Sequence, residues 1–210
     1  MQTKKNIQRH EQGFALLISL IVVGVVLSVG MTILDLSIKQ VRLSTSSRDS
    51  ETAFHASNAG AECARYWRRE KSDTPDQENT DAMVLGEDVD VSCFGSDEID
   101  ISPESGQNEP KITVGTGKSY LYKYEFTWGA GNDRCTKINT IVTTADIDSP
   151  GPVLIANIKT LIPSYPEDTT ECEPGSQCTI LSSRGYNKPC PAGEGAFGYG
   201  TVEREVLLQF

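Results

Sequence analysis

Histidine is nearly absent from this 210-residue chain, with His10 and His55 as the only two. No cysteine pair has the CxxC spacing that grips a tetrahedral metal, and no stretch has the ligand spacing of an EF-hand. Zinc chemistry and histidine-based hydrolysis therefore have little to work with, and no cofactor or metal is expected. Proline is missing until Pro75, so nothing forces a helix begun at Phe14 to end before Thr74. Charge is missing from Phe14 to Leu34, twenty-one residues in a row. At about 1.5 Å per residue such a helix is about 30 Å long, the thickness of a bilayer's hydrocarbon core. A secretory signal core is shorter, about 7–15 residues. This stretch can span, which disfavours a freely soluble cytosolic enzyme.

The chain carries a formal net charge of -10. Lys4, Lys5 and Arg9 against Glu11 give the first thirteen residues +2, so the remainder carries -12. Broad nucleic-acid binding is not expected from such a balance. Twelve carboxylates and one lysine fall between Lys71 and Pro110, which concentrates the acidity in one segment. Its clusters, Glu87-Asp88-Val89-Asp90 and Asp97-Glu98-Ile99-Asp100, offer oxygen ligands for calcium, but charge runs in polar segments are usually solvated.

Six cysteines, Cys63, Cys93, Cys135, Cys172, Cys178 and Cys190, all lie C-terminal to the apolar run. An even, scattered set points to an oxidising compartment. Lysine and arginine do not orient the span, because Lys4, Lys5 and Arg9 before it are matched by Lys39, Arg42 and Arg48 after it. The cysteines place the N-terminus inside and the large domain outside. Three of them crowd into 172–190, and an odd number cannot pair among themselves, so full oxidation requires a bridge from that cluster to Cys63, Cys93 or Cys135. Fifteen pairings of six cysteines remain open.

A short charged leader, Met1 to Gln12, ends in Gly13, and the apolar run opens abruptly as Phe14-Ala15-Leu16-Leu17-Ile18. This order resembles the class III signal of type IV pilins and type II secretion pseudopilins. The resemblance implies cleavage after Gly13 by a membrane prepilin peptidase and N-methylation of Phe14. It also implies retention of the apolar run as an anchor and filament-core helix, with Phe14, Leu17, Ile18, Leu20 and Ile21 in that core. Expected partners are other pilin subunits, the pilus assembly platform and membrane lipid. Most major pilins carry glutamate at the fifth mature position, which is Ile18 here. Minor pilins and tip pseudopilins tolerate its lack, so the resemblance implies a minor subunit.

Beyond the span, Ala53, Ala56, Gly60, Cys63 and Trp67 recur at 3-4-3-4 spacing on one helical stripe suited to packing on a sheet, with Arg65, Arg68 and Arg69 left mostly solvated. Val89, Val91 and Cys93 alternate. Tyr120, Tyr122, Tyr124, Phe126 and Trp128 put five aromatics on one face of an extended segment. A turn at 129–133 leads to a hairpin partner at Lys137–Thr144, followed by strands at Val153–Ile162 and Thr201–Phe210. Cys172–Cys190 reads as a cysteine-bearing loop region. Arg204 falls on the apolar side of the last strand, which suggests a sheet edge. The expected fold is α+β, a long N-terminal helix packed on a C-terminal antiparallel sheet, which is also the pilin arrangement. The expected divisions are a leader at 1–13, a membrane or filament-core helix at 14–35, its amphipathic continuation at 36–70, an acidic loop at 71–87 and an extracytoplasmic β-rich domain at 88–210.

Several apparent catalytic signals lack their context. Gly193 to Gly198 matches GxGxxG but follows a Cys-Pro-Ala loop and leads into a strand, whereas a dinucleotide site needs a strand before it and a helix after it. Gly117-Lys118-Ser119 has no Walker spacing and is expected to be a turn between strands. His55, flanked by Phe54 and Ala56 on the helix, has no evident pocket. A structural, non-enzymatic subunit is the expected function. The alternative is a signal-anchored surface binding domain that never polymerises.

Overall fold

The computed structural model describes residues 7–70, 86–96, 98–104, 109–191 and 196–210, without the side chains of 7–12 and 69–70. Helix α1 runs from Ile7 to Glu70, and the chain divides into two units, Met1–Arg48 and Asp49–Phe210. With no proline within it, α1 continues where the sequence offers no stop.

In the second unit, nine strands and one short helix α2 (Ile158–Leu161) are described: β1 (Val89–Val91), β2 (Ile99–Ile101), β3 (Lys111–Val114), β4 (Gly117–Trp128), β5 (Arg134–Ala145), β6 (Val153–Ala156), β7 (Thr170–Cys172), β8 (Gln177–Tyr186) and β9 (Glu203–Gln209). The main sheet is antiparallel in the order β4-β5-β8-β9. A three-stranded sheet, β3-β6-β7, and a two-stranded ribbon, β1-β2, complete the unit. The chain is therefore α+β, with one long N-terminal helix and antiparallel sheets after it.

One face of the main sheet takes α1. Ala53, Ala56, Gly60 and Cys63 are buried, Trp67 is half-buried, and Ser57, Ala61, Ala64 and Arg68 widen the stripe to a strip. The alternating aromatics of β4 meet this strip, with Tyr122, Tyr124 and Phe126 buried beside Ile138, Val142 and Leu181. Close approach is built in. Thr136 Oγ1 donates to Ala56 O at 3.0 Å and Ser183 Oγ to Ser57 O at 2.7 Å. The opposite face is covered at one end by the three-stranded sheet, where Leu121, Ile141 and Ile180 pack against Val153, Ile155, Ile158 and Leu161.

Four expectations need correction. Arg68 is not solvated. It is 5% exposed, and its Nε donates to Thr179 Oγ1 at 3.0 Å, because it lies one turn beyond Ala64 on the sheet-facing strip. Arg65 is exposed, and Arg69's side chain lies outside the described residues. Val153–Ile162 is not one strand. Asn157, at φ +73°, turns the chain through the left-handed region, and α2 then buries Ile158 and Leu161 at helical spacing. Gly117-Lys118-Ser119 opens β4, the turn being at Gly115-Thr116 with Gly115 at φ +81°. Finally, the cysteine-bearing region at 172–190 holds β8, an inner strand of the main sheet. Of the expected acidic loop, 71–85 lies outside the described residues. Arg204 does sit on an edge strand, β9, and its Nε donates to Ser50 Oγ at 2.9 Å.

Gly185 and Gly60 mark the tightest contacts of this interface. A Cβ at Gly185 would overlap the backbone of Ala53, Ala56 and Ser57, and one at Gly60 would overlap the Thr136 and Ser183 side chains. Gly185→Ala should cost about 1–3 kcal/mol through overpacking against backbone that cannot yield. Gly151→Ala, with open space at its Cβ, should change stability by less than about 0.5 kcal/mol. Urea unfolding of both variants checks this.

Candidate functional site

The candidate site is the apolar part of α1. Phe14 is 68% exposed and Ile18 45%, and Leu17, Leu20 and Ile21 are likewise uncovered. The helix holds a window of mean hydropathy 2.7 near the N-terminus, none of it buried, so it is long and apolar enough to cross a membrane. Three hydroxyls interrupt the hydrocarbon between Phe14 and Leu34, and each is satisfied within the helix. Ser19 Oγ donates to Leu16 O at 2.8 Å, Ser28 Oγ to Val25 O at 3.1 Å and Thr32 Oγ1 to Ser28 O at 2.9 Å. No polar side chain of the stretch is left without a partner. Gly13 and Phe14 lie within α1, with no break in the helix between them. The next charges form a pair, Asp35 with Lys39 at 2.9 Å.

Apolar exposure continues past the charge-free stretch. Leu36, Ile38, Val41 and Leu43 stand exposed between Asp35, Lys39 and Arg42. Phe14 to Leu43 spans about 45 Å of helix, well beyond the hydrocarbon thickness of a bilayer.

All six cysteines are paired, as Cys63–Cys93, Cys135–Cys190 and Cys172–Cys178. The first ties α1 to the segment after β1. The second is the bridge that joins the crowded C-terminal cluster to an earlier cysteine, fixing the 187–202 connection to the start of β5. The third ties the three-stranded sheet to the main one. Trp67 Nε1 donates to Ser92 O at 2.9 Å beside the first bridge.

Among the described residues, the remaining sequence motifs lie apart from one another. His55 is exposed on α1, 3.7 Å from Glu51, and no hydrogen bond joins it to a hydroxyl among the described residues. In the GxGxxG stretch, Gly193, Glu194 and Gly195 lie outside the described residues, and Gly198 is exposed ahead of β9. Apart from Asp97, which lies outside the described residues, the acidic clusters fall on and around the β1-β2 ribbon, where Asp90 faces Asp100 across the strands. No group of three or more metal-ligating side chains occurs among the described residues.

Burial shifts the titration of three phenols. Tyr124 and Tyr186 are both pushed upward by desolvation. Tyr122 moves up for the same reason, partly opposed by the hydrogen bond its oxygen accepts from Gly86 N–H at 2.9 Å.

In comparisons with protein-family models, with curated proteins and with solved structures, nothing matches this chain. Its architecture defines the class by itself. It is an α+β protein whose exposed apolar helix near the N-terminus continues into a helix packed on a disulfide-tied antiparallel domain.

Replacing Cys135 and Cys190 together by serine should cost about 2–4 kcal/mol, measured by urea unfolding under non-reducing conditions. The raised phenols remain neutral in the folded state when the unfolded chain ionises, near pH 10. Their contribution is therefore intact below pH 10 and is lost as pH rises above it. Tyr124→Phe should flatten the loss of stability above pH 10, read from urea midpoints at a series of alkaline pH values.

Proposed function

We propose that this protein is a structural subunit, a minor pilin or pseudopilin, of a type IV pilus-like or type II secretion-like filament. It acts without enzymatic chemistry. The N-terminus lies inside, the peptidase cuts after Gly13, Phe14 becomes the N-methylated terminus, and the disulfide-tied domain lies outside the membrane. The observation that carries this reading is the helix itself, whose apolar run begins abruptly at Gly13-Phe14, has no charge for twenty-one residues and is followed, in the same unbroken helix, by the sheet-packed stripe. Satisfied hydroxyls suit its storage in lipid. Exposed Leu36, Ile38, Val41 and Leu43, beyond the length a bilayer covers, support packing against other helices over a simple anchor. In such a bundle, dispersion contacts replace lipid.

Ile18 sets the protein's abundance in this reading. Without a carboxylate there, the chain cannot offset a neighbour's buried terminal amine, and a filament of this chain alone would repeat an uncompensated charge at every subunit. Mass analysis of protein from the native cell should find a mature N-terminus at Phe14, carrying one added methyl group. Purified filaments should contain the chain as a small fraction of a major subunit, and expression of this chain alone with the assembly machinery should yield none. An uncleaved N-terminus together with a monomer in detergent would instead support a non-polymerising surface anchor.

A further inference from the structure

The main sheet has an outer face that the three-stranded sheet covers only at one end. Across the rest of that face, side chains from β4, β5, β8 and β9 stand in register. Glu125 faces Lys137, Lys137 faces Arg184, and Arg184 faces Glu205. In the next row, Lys123 faces Asn139. Lys123, Tyr124, Glu125, Lys137, Asn139 and Arg184 line a groove of about 310 Å³. Beside it, Lys137 Nζ lies 5.6 Å from the centre of the Phe197 ring.

The charge of this groove runs against that of the chain. Carboxylates outnumber lysine and arginine 29 to 19 overall, yet the groove lining has three cations and one carboxylate. Lys137 and Arg184 are like charges directly opposite on adjacent strands, an arrangement that weakens a sheet unless an anion stands near both. The local carboxylates only partly supply one. Glu125 pairs with Lys137 at 2.7 Å, and Glu104 approaches Lys123 at 3.9 Å. Glu205, opposite Arg184, accepts a short hydrogen bond from Ser182 Oγ at 2.5 Å. Among the described residues Arg184 makes no hydrogen bond or ion pair, so its planar fork of donors remains available. Asn139 is 9% exposed and fixed by its Nδ2, which donates to Leu161 O at 3.0 Å.

We propose that this groove binds an acidic peptide segment of a partner protein, one carboxylate taken in bidentate fashion by Arg184 and others held near Lys123 and Lys137. The guanidinium fork matches a carboxylate's two oxygens. A long polyanion fits less well, because the net charge of -10 repels it everywhere outside the groove. The assignment rests on the Asp49–Phe210 unit and is independent of whether the apolar helix polymerises.

Titration of the full chain in uncharged detergent micelles with a capped hexaglutamate peptide tests it, with capped hexaglutamine and a single-stranded oligo-dT as comparison probes. Hexaglutamate should bind, more weakly as salt rises, and hexaglutamine should not. Arg184→Gln should lower affinity about tenfold or more, the loss expected on removing a hydrogen-bonded charged group. Lys123→Gln, a second variant at the sheet edge, should lower it less, and Lys111→Gln, on an exposed strand outside the groove, should leave it unchanged. Circular dichroism identical to the parent chain shows that the variants are folded. Equal affinity in Arg184→Gln and Lys123→Gln, or equal binding of hexaglutamine, would overturn the proposal. Tighter binding of oligo-dT through the same residues would overturn the ligand class. Salt-sensitive self-association that Arg184→Gln abolishes would overturn the assignment to a partner and make a second copy's acidic stretch the occupant.

Discussion

The second unit depends on how closely α1 can lie on the main sheet. Alanine, glycine and serine on the helix meet glycine, serine and threonine on the strands, and two strand hydroxyls donate to helix carbonyl oxygens at Ala56 and Ser57. A helix interior normally offers its carbonyls only to its own amides, so these extra bonds are possible only where no side chain holds the sheet away. Trp128 extends the arrangement by donating its Nε1–H to Thr136 Oγ1 at 3.0 Å, which fixes the hydroxyl that reaches Ala56. The aromatic residues then fill the space on either side, where the two surfaces diverge and large rings are needed. Small residues set the distance and large ones supply the buried area.

This same closeness explains which strands could be seen in the sequence. In β4 the alternation of Tyr120, Tyr122, Tyr124, Phe126 and Trp128 is visible because its inward positions are large and apolar. In β8 two of the inward positions are Ser183 and Gly185, which together resemble a polar loop until the helix backbone above them is taken into account. The neighbouring cysteines strengthen that resemblance. Arg68 is hidden in a similar way, since a cation close to Arg65 and Arg69 in the sequence gives no sign that Thr179, far along the chain, lies within hydrogen-bond distance. Around Asn157 the sequence shows a largely apolar stretch framed by prolines, and the left-handed backbone at Asn157 divides it into strand and helix.

The apolar helix and the outer groove stand at opposite ends of legibility. The helix is local, and the absence of charge over consecutive residues is enough to reveal it, with its hydroxyls satisfied one turn back along the same chain. The groove draws on three strands between Lys123 and Arg184, and each of its charges, taken alone, is an ordinary polar position on an alternating strand. Register alone brings Lys137 beside Arg184. No spacing rule within a single segment could have signalled it.

The placement of Cys63 gives the long helix a mechanical property. Within the second unit, residues 49–62 of α1 lie before the bridge to Cys93, and all their attachments to the sheet are non-covalent. Tension applied through the N-terminal end of α1 would shear this stretch along the strands, straining many short contacts at once before any single one gave way. Should they all yield, the slippage would stop at Cys63, where the load passes into a covalent bond. Failure under force is thus confined to about four turns of helix, and the folded sheet behind the bridge is spared.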